Sequence, residues 1–173
     1  MMIELVTFSE IEDKLIDDLC GGIKNIFGSC SVLECKLDVP EDAYDKLRKQ
    51  YESGPFLVAL MKYSEPQRDK ILGVTREDIF THGMNFIFGH AYVGGEVCIL
   101  SVHRLDPRFY GQEDYPLFLE RCIKEAVHEL GHCFGLGHCD ESCAMAFSNN
   151  IRAVDKKHLD FCKDCGNSIR RQG

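Results

Sequence analysis

The segment from His128 to His138 constrains the fold and chemistry of this chain more than any other feature. His128 and His132 are four residues apart, so on a helix they share one face and can bind one metal ion. Glu129 follows the first histidine and can act as general base on a water that the metal activates. Gly135 permits the left-handed backbone that ends a helix, after which the chain can bring His138 to the same ion. Three imidazoles leave one coordination position open, which is typical of catalytic rather than structural zinc.

Four cysteines form a second motif directly after this segment. Their spacing, CxxxC followed by an 18-residue gap and CxxC, is typical of a closed structural zinc site made of Cys139, Cys143, Cys162 and Cys165. Two alternatives stay open on the residues alone, namely a redox pair at the CxxC and a disulfide pairing. The other cysteines lie in or beside apolar runs and are expected to be small core residues: Cys20, Cys30, Cys35, Cys98, Cys122 and Cys133.

The composition is that of an ordinary globular protein, with 45% hydrophobic and 28% charged residues. A length of 173 residues suits one domain, which we expect to span residues 1–173. The formal charge of −8 disfavours nucleic acid and anionic membranes as partners. The start of the chain lacks the basic region of a signal peptide, and no apolar run reaches the length of a membrane span. These features predict a cytoplasmic protein, which we expect to be a monomer with metal-bound or buried thiols rather than disulfides.

The apolar patterns predict that strands and helices alternate along the chain. Strands are expected at residues 3–8, 30–39, 71–75, 86–93 and 97–103, and the last two should form an antiparallel hairpin around Gly94 and Gly95. Helices are expected from a cap at Ser9 to Gly28, from Pro40 to about Glu52, from Pro116 through the metal motif, and from Asp155 through Leu159 and Phe161. Residues 54–55 should form a turn, residues 56–61 fit either a helix or a strand, and residues 62–70 are expected to form an exposed connection.

This order predicts an α/β fold, a mixed sheet of about five strands with one antiparallel edge strand and helices packed on it. The long helix is expected to bury a stripe of Leu119, Cys122, Ile123, Ala126, Val127 and Leu130. The histidines of the metal motif would lie beside this stripe and face a cleft.

The metal motif followed by Met145 resembles the metzincin pattern of zinc peptidases. The next residues resemble the archaemetzincin family, in which a cysteine directly follows the third histidine and is followed by CxM and a distant CxxC. Three upstream segments also resemble this family: NFIFGHA at 85–91, SVHRL at 101–105 and FYG at 109–111. The resemblance is strong over the C-terminal half and covers the first half only by the order of strands and helices. Three residues separate Cys139 from Cys143, and sixteen separate Met145 from Cys162. Each count is one lower than in the family pattern, which leaves a four-cysteine site feasible.

The resemblance implies a single metzincin-like domain with an active-site helix and a C-terminal zinc-bound segment. It implies two Zn²⁺ ions per chain: a catalytic one on His128, His132 and His138 with Glu129 as the base, and a structural one on Cys139, Cys143, Cys162 and Cys165. Met145 would form the methionine turn under the metal site. The edge strand at residues 86–93 would pair with an extended peptide through its main-chain donors and acceptors.

The sequence therefore predicts a zinc-dependent metallopeptidase that acts on a peptide or protein substrate. Two other functions stay open: a zinc protein that binds a partner peptide without catalysis, and a zinc hydrolase that acts on a non-peptide amide. The presence of Glu129 argues against the first, because a purely structural site needs no base. His90 and His103 could approach the cleft, although a surface or hydrogen-bonded histidine explains each as well. Tyr110 could stabilise a transition-state oxygen.

Overall fold

The structure, a computed structural model, describes residues 2–63 and 70–171. Its strands are β1 (Ile3–Thr7), β2 (Ser31–Lys36), β3 (Tyr44–Asp45), β4 (Gln50–Glu52), β5 (Lys70–Thr75), β6 (Ile79–Phe80), β7 (Gly89–Ala91) and β8 (Val97–Ser101). Its helices are α1 (Asp13–Phe27), α2 (Ser53–Tyr63), α3 (Tyr115–Cys133), α4 (Ile151–Lys156) and α5 (Lys163–Arg170), with short 3₁₀ turns at Glu41–Ala43 and Pro107–Tyr110. None of the helices in these ranges combines the length and apolar character that crossing a bilayer requires.

The central sheet has the strand order β2-β1-β5-β8-β7 within the described residues. β1 runs parallel to β2 and β5, and β5 runs parallel to β8, whereas β7 pairs antiparallel with β8 at the edge. The predicted mixed sheet with one antiparallel edge strand is confirmed. The predicted hairpin is confirmed as well, with shorter strands and a turn through Gly94, whose φ of 76° favours glycine. A second, small sheet has the order β3-β4-β6.

Both faces of the central sheet are covered, which is typical of parallel strands. Leu5 and Leu100 belong to a core that includes apolar residues of α1 and α3. The alternate residues Val6 and Ile99 belong to a second core that includes apolar residues of α2. Because side chains alternate along a strand, α1 and α3 must lie on one face and α2 on the other.

Helix α3 carries the metal motif, and its ends and buried face are well defined. The Asp114 side chain accepts a hydrogen bond from Leu117 N, and Pro116 stands in the first turn, where its missing N–H costs nothing. The predicted stripe is confirmed: four of its residues are fully buried and Leu119 and Ile123 are half-buried. The Arg121 guanidinium forms a two-pronged ion pair with Asp155 at 2.7 and 2.9 Å, which ties α4 to this helix.

The predicted helix over residues 40–52 is wrong. The chain instead makes a 3₁₀ turn and then the β3–β4 hairpin. The Asp45 carboxylate accepts hydrogen bonds from the N–H groups of Leu47 and Arg48, and Lys49 takes a positive φ of 56°. An aspartate that satisfies nearby N–H groups in this way offers the backbone an alternative to helix.

The turn predicted at residues 54–55 is also wrong, because both residues lie in the first turn of α2. Proline is tolerated there, since the first N–H groups of a helix have no partner within it. The ambiguous residues 56–61 are helical. The predicted connection overlaps the end of α2 and the first residue of β5, and its residues 64–69 lie outside the described ranges.

Two further helix boundaries differ from the prediction. Ser9 does not cap α1; its hydroxyl accepts from Arg76 N instead, and the helix begins only at Asp13. The end of the helix is as expected, since Gly28 caps it directly after Phe27. The helix predicted from Asp155 is wrong: α4 begins at Ile151, where the Asn150 side chain accepts from Ala153 N, and α5 begins only after Cys162. Leu159 and Phe161 therefore lie in the connection between these helices.

Candidate metal centres and catalytic cleft

Helix α3 places two buried histidines one turn apart on the same face. The Nε2 atoms of His128 and His132 are 3.1 Å apart. Nδ1 of His128 lies 2.8 Å from the Ala144 carbonyl oxygen, and Nδ1 of His132 lies 2.8 Å from that of Leu136. A carbonyl oxygen can only accept, so each Nδ1 carries the proton and each Nε2 presents a lone pair. Both free lone pairs are thus available to one metal ion.

The turn after α3 brings the third histidine to the same place. Gly135 takes a φ of 77°, and the N–H groups of Gly135 and Leu136 donate to carbonyls in the last turn of the helix. This left-handed ending reverses the chain. The His138 ring centroid lies 5.3 Å from that of His128 and 4.9 Å from that of His132, and a ligand nitrogen of each lies within 4.8 Å of the others.

This donor set fits zinc. Zn–N bonds of about 2.0–2.1 Å in a tetrahedron put two ligand nitrogens about 3.3 Å apart, close to the His128–His132 separation. Burial lowers the pKa of all three histidines, His128 most of all, which favours the neutral imidazole that a metal needs. Three nitrogen donors leave a fourth position for a reacting molecule.

The Glu129 side chain is buried beside this histidine cluster. It lines, with the three histidines, a cavity of about 250 Å³ next to β7. Burial raises the pKa of its carboxyl, as does the neighbouring Glu125 carboxylate. Gly89 of β7 faces it directly, since a Cβ at that position would lie 2.5 to 2.7 Å from Cγ, Oε1 and Cδ of Glu129. The absence of a side chain at Gly89 thus makes room for the carboxylate.

Met145 is fully buried and packs against α3. Its thioether packs so closely on Gly131 that a Cβ there would overlap the sulfur. Ala144, whose carbonyl orients His128, is its neighbour in the chain. The methionine therefore packs under the helix turn that carries the two histidines.

The four cysteines of the second motif also converge. Their Sγ atoms lie within 4.8 Å of one another, with 4.0 Å between Cys139 and Cys162 and 4.0 Å between Cys143 and Cys165. Zn–S bonds of about 2.3 Å in a tetrahedron put sulfur atoms about 3.8 Å apart, so the set fits a closed zinc site. All ten cysteines of the chain are free in the structure. Of the six predicted core cysteines, Cys98, Cys122 and Cys133 are fully buried or nearly so, whereas Cys20, Cys30 and Cys35 are only partly buried against the cores.

The sequence left open the roles of His90, His103 and Tyr110. Of these three residues, only His90 lines the cavity. Its Nδ1 lies 2.8 Å from the buried hydroxyl of Ser53, and burial lowers its pKa. His103 points elsewhere, with Nδ1 3.1 Å from the Arg76 carbonyl oxygen. The Tyr110 hydroxyl donates to the Arg104 carbonyl, outside the cavity.

Sequence reasoning missed a buried ion pair at this site. Glu125 lines the cavity one helical turn before Glu129, and Lys157 Nζ lies 2.6 Å from its Oε1. Both side chains are 4% exposed or less. The position of Glu125, four residues before the expected base and on the same helix face, was a signal that could have identified it. No local pattern marks Lys157, which reaches the pair from beyond α4.

The fold and the site together define a metallopeptidase class. The model of peptidase family M54 matches residues 3–171. The archaemetzincins of Methanopyrus kandleri and Archaeoglobus fulgidus are each 39% identical to the chain, over 91% and 92% of its length and 87% and 94% of theirs. The crystal structure of the Methanopyrus kandleri protein superposes with a TM-score of 0.87 at 35% identity, covering 99% of this chain and 94% of that one.

A zinc-dependent peptidase from Methanocorpusculum labreanum also has this fold, with a TM-score of 0.87 at 29% identity over 96% of this chain and 99% of that one. The chain belongs to peptidase family M54, the archaemetzincins, and the expected resemblance is confirmed. It is accordingly a zinc metallopeptidase, and its substrates are peptides or proteins.

Proposed function

We propose that the chain hydrolyses peptide bonds at the three-histidine centre with Glu129 as general base. The observation that carries this proposal is the convergence of three imidazole nitrogens and one buried carboxylate in a single cavity. Zinc bound by His128, His132 and His138 would lower the pKa of a water molecule to near 7 and polarise the scissile carbonyl. Glu129 would accept a proton from the attacking water as its oxygen bonds to the scissile carbonyl carbon, and would deliver that proton to the amine nitrogen as the C–N bond breaks.

The open edge of β7 supplies the main-chain partners for the substrate. Ser101 N donates to Phe88 O, so these two residues form a hydrogen-bonded pair in the antiparallel register that also pairs His90 with Ile99. Hydrogen-bonded pairs alternate along such a ladder, so the N–H and C=O groups of Gly89 and Ala91 point away from β8. An extended peptide can add to this edge as a further strand. Its scissile bond would then pass beside Glu129, which packs against Gly89.

We propose further that Cys139, Cys143, Cys162 and Cys165 hold a second, structural zinc, which gives two ions per chain. Four thiolates close the coordination shell, so no position is left for substrate. Metal analysis of the purified chain should give two zinc ions, and the Cys162→Ala, Cys165→Ala double variant should retain one. A single zinc in the parent protein that survives this double replacement would contradict the second site.

A peptide-library cleavage assay with the zinc-loaded protein tests the catalytic proposal. Glu129→Ala should keep its zinc and lose about a hundred- to ten-thousand-fold in rate, because general acid–base catalysis typically contributes that much. His132→Ala is the contrasting variant, since it should lose the catalytic zinc and activity together. A Glu129→Ala protein that cleaves peptides at the parent rate would rule out this mechanism. If selected peptides bind but none is cleaved, a non-catalytic binding function would be favoured.

A further inference from the structure

The cavity contains polar residues that do not belong to the three-histidine cluster. Much of its wall is apolar and comes from Met84, Phe86, Ile87 and Phe88. Glu125 and Ser148 also line it, and neither is a zinc ligand or the proposed base. A substrate side chain that enters along the apolar wall would meet these two polar groups.

The polar groups there are only partly satisfied. Lys157 Nζ lies 2.6 Å from Glu125 Oε1, but neither atom has a well-directed hydrogen bond to any described residue. The Ser148 hydroxyl is buried and likewise has no partner among residues 2–63 and 70–171. An ammonium offers three donors and a carboxylate accepts at several positions, so one contact leaves capacity in both groups. Buried polar groups are nearly always hydrogen-bonded in folded proteins, so this cluster is suited to a polar occupant.

The balance of charge selects the kind of occupant. The carboxylate of Glu125 is already matched by the ammonium of Lys157 at contact distance. Glu129, the remaining carboxylate of the cavity, lies beside the zinc ligands and is needed for proton transfer. Apart from Glu129, a cationic side chain would find no unmatched anion in the cavity, and an acidic one would face two carboxylates. A neutral group with both N–H donors and an acceptor fits, and the apolar wall accommodates a methylene stem.

We propose that Glu125 and Ser148 form a specificity subsite for a carboxamide side chain, that of glutamine, next to the scissile bond. The carboxamide N–H₂ donates to the Glu125 carboxylate, and its oxygen accepts from the Ser148 hydroxyl. This assignment rests on the proposed function, because it concerns substrates of the same cavity. Lys157 acts through Glu125, whose carboxylate it holds in place.

Matched capped peptides that carry Gln, Leu, Glu or Lys at each position flanking the scissile bond test the subsite. The zinc-loaded parent should prefer Gln over Leu by at least about tenfold in kcat/KM at one of these positions, because a site with buried hydrogen-bonding groups rejects an apolar analogue. Ser148→Ala should reduce this ratio. The double variant Glu125→Leu, Lys157→Met removes the ion pair without leaving a buried charge, and should invert the preference toward Leu. A pair with a merely structural role would change all four peptides alike and leave the ratio unchanged.

Binding to the zinc-loaded Glu129→Ala protein, measured by calorimetry with the same peptides, separates this proposal from the proposed function. Tighter binding of the Gln peptide without cleavage by the parent would support the subsite and contradict the peptidase mechanism. Cleavage by the parent with equal rates for Gln and Leu would contradict the subsite and leave the mechanism standing. A preference for Lys or Glu would overturn the charge argument and the carboxamide assignment with it. Absence of both binding and cleavage would overturn both proposals.

Discussion

Replacing Gly89 by alanine should impair catalysis by moving Glu129, without removing zinc. The added Cβ would lie 2.5 Å from Cγ, 2.6 Å from Oε1 and 2.7 Å from Cδ of Glu129. Non-bonded heavy atoms prefer separations of about 3.5–4.0 Å, so the carboxylate must shift by about 1 Å or the strand must move by the same amount. Glu129 is only 5% exposed, and the free space beside it is the cavity that it lines, so a retreat would move the carboxylate within the site.

A displacement of about 1 Å at a catalytic group can cost about a hundredfold in rate. We therefore expect Gly89→Ala to lower kcat about a hundredfold, while zinc content stays near that of the parent because the three atoms nearest to the added methyl all belong to Glu129. Ala91→Gly is the matched control. It changes a methyl on the same face of the same strand, two residues away, and should change kcat much less.

The Glu129→Asp background tests whether the clash is the cause. Aspartate is one methylene shorter and leaves room for the added methyl. Gly89→Ala should therefore lower kcat by a smaller factor in the Glu129→Asp protein than in the parent. Such non-additivity is the measure of a direct contact between two residues. Steady-state kinetics on one peptide and metal analysis of the four proteins complete the cycle. An unchanged kcat in Gly89→Ala, or equal costs in both backgrounds, would refute the packing argument.

Three further predictions concern stability. Cys165→Ala should lower Tm much more than Glu129→Ala does, because binding of a structural metal is linked to folding, and equal melting curves would contradict the structural role. Gly22→Ala should destabilise by about 1–3 kcal/mol, since its Cβ would overlap an isoleucine of α3, whereas Gly21→Ala, with open space around it, should stabilise by about 0.5–1 kcal/mol in denaturant unfolding. Burial alone would raise the pKa of Asp106, but hydrogen bonds and charge from neighbouring arginines bring it below its ordinary value. The ionised Asp106 carboxylate thus stabilises the fold above about pH 4, and this stabilisation is lost as the pH falls through the folded pKa. Asp106→Asn should therefore lower Tm near pH 7 and make Tm depend less on pH in the acid range.

The parts of the site that were predictable from sequence depend on local spacing. The helical offset of four residues puts His128 and His132 together, and Gly135 supplies the reversal that brings His138 back. The β3–β4 hairpin was not predictable in this way, because the Asp45 carboxylate competes with the helix for the same backbone groups. The Glu125–Lys157 pair joins residues 32 apart in the chain, and only the fold brings them together.

The two metal-binding clusters share one short stretch of chain, and this explains why the motifs adjoin in sequence. Cys139 follows His138 directly, and its N–H donates to the Met145 carbonyl at 3.0 Å. Ala144 lies between Cys143 and Met145; its N–H donates to Asp160 O, and its carbonyl accepts from His128 Nδ1 at 2.8 Å. The loop that the four cysteines enclose therefore contains the Ala144 carbonyl, which orients His128 of the other cluster. Hydrogen-bond partners of this kind fix the ring orientation and the tautomer of a metal-binding histidine. A structural zinc on the cysteines would thus stabilise the geometry of the catalytic one without touching substrate.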